Sequence, residues 1–149
     1  MLFYRVARAS RQFNNNRQLY FSTNTASFKM SLYDGKVFRS ASNTSNGEVG
    51  SETRFHYHQD GKIVWAEYSG GSVVRGTLIA TVKDEDNSLD MRYQHVNKEG
   101  ELMTGQCRST PEVLADGRLR LHEKWKWTSG DRSEGESVIE EVREEYAGQ

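Results

Sequence analysis

The chain holds a single cysteine and a single proline, no acidic residue before Asp34, and no uninterrupted apolar run of helix-spanning length. Each scarcity excludes something. A lone Cys107 cannot close an internal disulfide or form a CxxC metal or redox pair, which suits a reducing compartment. Without about 20 consecutive apolar residues no helix spans a bilayer, so no membrane partner is expected. The motifs GxGxxG, GxxxxGK, GxSxG and HExxH are also missing, so dinucleotide, phosphate-loop, hydrolase-elbow and zincin chemistry lack a starting point.

The 149 residues suffice for one domain with one core. Charge divides the chain unevenly. From Ser27 onward there are 16 Lys plus Arg against 21 Asp plus Glu, a net of −5. An acidic domain repels phosphate backbones, so nucleic acid is not an expected partner. The first stretch is the opposite: Arg5, Arg8, Arg11 and Arg17 stand among Leu2, Phe3, Val6, Phe13, Leu19 and Tyr20 with Ser, Asn and Gln. Basic, hydroxylated, acid-free composition is that of a mitochondrial transit peptide. The spacing from Arg17 through Leu19 to Ser22 also resembles the two-step processing pattern, with a first cut after Gln18 and a second after Ala26. Residues 1–26 are therefore expected to be a leader addressed to the mitochondrial matrix. Met30 leaves open a cytoplasmic form that starts there, and a basic tail with no address is the plainer alternative.

From Ser31 the pattern turns to short alternations of apolar and polar residues, as antiparallel strands read. It predicts strands near 36–43, 51–59, 62–69, 72–83, 88–97, 101–110, 118–128 and 133–142, with Pro111 ending the sixth. Asp60-Gly61, Gly70-Gly71, Lys98-Glu99-Gly100, Asp116-Gly117 and Gly130-Asp131 supply the positive φ that tight hairpins need. The expected fold is all-β, a single antiparallel up-and-down barrel of about eight strands over residues 31–142, with a short acidic tail at 143–149. Such a barrel has an interior wide enough for packed side chains or one small ligand. The long polar connector at 41–50 would be a mouth loop or lid.

Function then rests on the inward residues. On strand seven Leu119, Leu121, Glu123, Trp125 and Trp127 oppose Arg118, Arg120, His122, Lys124 and Lys126, so a carboxylate and two tryptophans point in. A buried carboxylate is costly unless hydrogen-bonded or paired, which makes Glu123 the most informative residue. By the same alternation Tyr93 and His95 face inward from strand five, Phe55 and Tyr57 from strand two, and Met103, Gly105, Cys107 and Ser109 from strand six. Strand three is apolar on both faces, and Tyr68 is taken as inward. The ligand-binding candidates are Tyr57, Tyr68, Tyr93, His95, Cys107, Glu123, Trp125 and Trp127. A satisfied polar network is the alternative for Glu123, Tyr93 and His95, and plain packing is the alternative for the tryptophans and Cys107. His56 and His58 share a face with Arg54, so they read as solvated rather than as metal ligands, and Glu134 and Glu136 read as solvated too. No metal or cofactor is expected.

The runs Arg92-Tyr-Gln-His-Val-Asn97, Gly100-Glu-Leu-Met-Thr-Gly105 and Arg120-Leu-His-Glu-Lys-Trp-Lys-Trp-Thr-Ser-Gly130 resemble a family of small bacterial proteins of this domain's length. Members often carry the label N-acetylglutamate synthase. The resemblance extends over nearly all of 31–142 and implies an avidin-like, calycin-like barrel. An acetyltransferase of the usual kind receives the coenzyme's pyrophosphate at a helix N-terminus, and the period-two pattern offers no such helix. The leading expectation is a non-enzymatic barrel that binds an unidentified small molecule. The alternatives are an enzyme using Glu123 and His95 as an acid–base pair, and a solid barrel serving assembly. Homo-oligomers are an open alternative to a monomer.

Overall fold

The computed structural model describes residues 31–143; the leader and the tail beyond Arg143 lie outside the described residues. Eight strands follow in chain order: β1 (Val37–Asn43), β2 (Arg54–Asp60), β3 (Ile63–Gly70), β4 (Val73–Val82), β5 (Leu89–Asn97), β6 (Leu102–Val113), β7 (Leu119–Trp127) and β8 (Glu134–Glu141). Each pairs antiparallel with its neighbour in sequence, and β8 pairs with β1, which closes the barrel. Closure leaves no sheet edge open to another chain. The short hairpins work as their glycines suggest: Gly70 and Gly71 have φ of 113° and 62°, and a Cβ on Gly70 would overlap the carbonyl of Glu52.

Two boundaries differ from the sequence reading. Strand six does not end at Pro111; β6 continues to Val113, with Pro111 opposite Leu121 of β7. The proline is tolerated because pairing with β5 stops at Ser109, so its missing N–H lies where β6 has a neighbour on one side only. Residues 41–43 belong to β1, and the polar connector spans 44–53 instead.

The two halves of the barrel interior differ. At the end of the β2–β3 and β6–β7 turns the core is solid: Tyr33, Phe38, Tyr57, Val64, Leu89, Leu119, Leu121 and Ile139 are all completely or almost completely buried. Tyr33 precedes β1 and plugs this end. Its backbone N–H donates to Gln59 Oε1 at 2.9 Å and its hydroxyl donates to the carbonyl of Asn87. Tyr57 is wedged between Tyr33 and Phe38, edge-on to Phe38 with ring centroids 4.7 Å apart.

At the other end, bulges interrupt the registers between Ser40 and Ser42, Tyr68 and Gly70, and Val73 and Arg75. Bulges gather at barrel rims because an extra residue bends the strand and re-aims side chains. The one in β1 has a local consequence. Strict alternation after Phe38 and Ser40 would turn Ser42 inward; with the extra residue, Ser42 is exposed and Asn43 turns in.

Candidate functional site

The half of the barrel beneath the 44–53 connector is hollow. Tyr68, Tyr93 and Trp125 each lie opposite a glycine of the next strand in register: Gly76, Gly105 and Gly135. A Cβ on any of these glycines would overlap the facing ring. With no side chain beneath them the rings lie back against the barrel wall instead of filling its centre. The cavity that results leaves about 50 Å³ in which the centre of a water molecule can move. A single water needs roughly 10 to 15 Å³ by that measure, so several fit.

Seven of the eight candidate residues line this space: Tyr68, Tyr93, His95, Cys107, Glu123, Trp125 and Trp127. Tyr57 is placed apart from them. Its ring belongs to the solid half, the cavity wall does not include it, and its buried hydroxyl has no partner among the described residues. The aromatic groups pack on one another. Trp127 meets Trp125 at 5.6 Å, Tyr93 at 5.6 Å and His95 at 5.7 Å between centroids, the last two edge to face. Phe55 stacks on Tyr68 at 4.9 Å.

Glu123 stands in a polar row that crosses four strands. Asn43 of β1 is opposite Ser137 of β8, Ser137 is opposite Glu123 of β7, and Glu123 is opposite Ser109 of β6. Ser137 Oγ donates to Glu123 Oε2 at 2.8 Å. Burial pushes the Glu123 carboxyl up to about 7, and the Ser137 bond offsets only part of that. In this row Asn43 Oδ1 and Ser109 Oγ are buried without a hydrogen-bond partner. A buried polar atom in that state costs about 1 to 3 kcal/mol until water or a ligand meets it. Cys107 is a buried free thiol, which burial and then the nearby Glu123 charge push up, so it is not poised as a nucleophile.

His95, almost wholly buried, connects the wall to the connector. Its Nδ1 is 3.0 Å from the Tyr68 hydroxyl and its Nε2 is 3.2 Å from Glu48 Oε2. The Tyr68 hydroxyl also lies 3.2 Å from the carbonyl of Gln94, to which it can donate, so His95 is held from both sides of its ring whichever nitrogen carries the proton. Asn97 Nδ2 donates to Glu48 Oε1 at 3.3 Å. Two further ties hold the connector down: Trp127 Nε1–H donates to the carbonyl of Asn46 at 3.2 Å, and Asn43 Nδ2 donates to that of Val49 at 2.9 Å. Gly47, Glu48 and Val49 thereby form the roof of the cavity, and Glu48 ties that roof to β5.

The alternation could not find Glu48, because a loop side chain has no period to betray its direction. Asn43 escaped it through the bulge. Ser137 was legible in principle, since it shares a face with the buried Ile139, but its strand carries acidic residues and yielded no inward candidate from the pattern. His58 is on the exterior, stacked on Trp65 at 5.4 Å and 2.8 Å from Glu67 Oε2, as expected of a solvated face.

The family described as avidin-like protein matches residues 31–142. Among curated proteins and among solved structures, no match was found.

Proposed function

From the premise that the chain belongs to the avidin-like proteins, we propose that it binds a small organic molecule in the hollow half of its barrel and does not transform it. The observation that carries this reading is the set of three ring–glycine pairs. A barrel selected only for packing would fill its centre at both ends, yet here aromatic rings are held back at one end while the other is solid. Apolar walls with a few convergent polar groups suit small-molecule sites. An acid–base pair finds less support: both His95 nitrogens are engaged, by Tyr68 and Glu48, and the hydrogen bond to Glu123 comes from Ser137.

The test is a thermal-shift screen of amines, alcohols, amides and carboxylic acids, followed by binding kinetics on any hit. At least one class should raise the unfolding midpoint; a screen in which none does ends this reading. Glu48→Ala should then speed association about tenfold, because its tie to β5 adds on the order of 1 to 2 kcal/mol to opening the roof. An unchanged association rate would take the roof off the ligand's way in.

We place this binder in the mitochondrial matrix on the strength of the acid-free basic leader. Protein purified from mitochondria should begin at Ser27. An intact Met1, or an exclusively cytosolic species starting at Met30 or Ser31, would refute the assignment.

A further inference from the structure

The hollow half is one-sided in charge and in hydrogen bonding. Its wall carries two carboxyl groups, Glu48 from the roof and Glu123 from β7, and among the described residues no Lys or Arg lines it. The Glu123 carboxyl is met by one donor, Ser137 Oγ on Oε2. Asn43 spends its amide nitrogen on Val49 and leaves Oδ1 buried with no partner. Of the open positions in the row, Glu123 and Asn43 Oδ1 accept and the Ser109 hydroxyl either donates or accepts, so a molecule that meets the two acceptors must donate. Around them stand Tyr93, Trp125 and Trp127, whose ring faces attract cations electrostatically.

We propose that the hollow half takes a small organic amine in its protonated form, the ammonium held by Glu123 and Asn43 and the organic body lying against Trp125, Trp127 and Tyr93. The inference rests on the binding reading above and names the ligand's class. An ammonium is expensive to bury unless it is paired and hydrogen-bonded, and the row supplies both. A carboxylate ligand would instead meet the two acidic groups of the wall. A neutral alcohol would satisfy one acceptor and leave the charge of Glu123 uncompensated.

The other titratable groups that face Glu123 do not compete for it. Tyr57, Tyr68, Tyr93 and Cys107 are all pushed up by burial and stay neutral at pH 7. The second carboxyl, Glu48, is engaged by His95 and Asn97. With the Glu123 carboxyl near 7, an ammonium binds only the ionised form. Affinity for an amine should therefore rise about tenfold from pH 6 to pH 8 and level off above, with a proton released on binding at the lower pH.

Two isosteric pairs test the class, benzylamine against benzyl alcohol and n-propylamine against n-propanol, with benzoate as the anion. Binding is read by the fluorescence of Trp125 and Trp127 and by calorimetry in two buffers of different ionisation heat. At pH 8 at least one amine should bind about tenfold or more tightly than its alcohol, and Glu123→Gln should abolish that preference. The proposal is overturned if the alcohol or benzoate binds as well as the amine, if amine affinity falls as pH rises, or if neither amine binds. A hit of another class in the wider screen would then leave the small-molecule reading standing without the amine, whereas an empty screen would remove both.

Discussion

Glu123→Gln is expected to make the protein more stable at pH 8, by on the order of 2 to 3 kcal/mol, and no more stable at pH 4. The carboxyl rises from 4.5 to about 7 on folding, chiefly through desolvation. The folded state therefore holds this proton more tightly than the unfolded chain does. Its contribution to stability is fully present below the unfolded value of about 4.5, is lost as pH rises to about 7, and changes no further above that. Glutamine can still accept from Ser137 Oγ and never has to ionise. Its NH₂ asks for an acceptor in the cavity, which takes back part of the gain.

Carboxylates such as Glu67, Asp86, Asp90 and Glu112 have the opposite sign, being held low by partners that include His58, Ser88, Arg92 and His122. They are solvent-screened surface groups, and both proteins contain them, so the difference between the two pH profiles isolates position 123. Urea midpoints of both proteins at pH 4, 6 and 8 give that difference. A gap that does not vary with pH, or a Gln variant less stable at pH 8, would show that Glu123 is ionised and satisfied in the folded protein.

Gly105→Val should close the cavity. The Tyr93 ring rests on Gly105 with no room for a Cβ, so the valine must drive the ring toward the centre of the barrel, where Trp127 already stands edge-on to it. Overpacking of this kind costs about 1 to 3 kcal/mol, and here it also removes the space in which a ligand would lie. Binding of any hit should fall by about 100-fold or more, a loss equivalent to roughly 3 kcal/mol. Adding Tyr93→Ala removes the ring that the valine displaces. The double variant should thus be less destabilised than the two single changes predict together, since residues in contact couple. Full ligand affinity in Gly105→Val would show that the ring–glycine pairs do not keep the site open.

Much of the site was legible because a strand has a period of two. Once β7 was recognised, Glu123, Trp125 and Trp127 had to share a face with Leu119 and Leu121, and the basic residues between them had to face water. On β3, apolar on both faces, alternation alone left the inward face open; the structure buries Val64, Ala66 and Tyr68, while Ile63 and Trp65 are exposed. Alternation tells which face a residue takes but not how far along the barrel axis it sits. Tyr57 shared the face of the cavity residues and still fell into the solid half, because the depth of a side chain depends on strand stagger and on what plugs each end.

The sequence by itself determined the barrel, its hairpin order and the inward face of strands such as β5 and β7, since the period of the side chains and the positive φ of the turn glycines are local properties of the chain. Only the tertiary structure decided which half is hollow, that Glu48 reaches from the roof to His95, and that Asn43 joins the row of Glu123. These depend on Tyr33 folding back across one end, on glycines meeting rings across neighbouring strands, and on a bulge at the rim. Each brings together residues distant in sequence through closure of the sheet, a relation that no local pattern encodes.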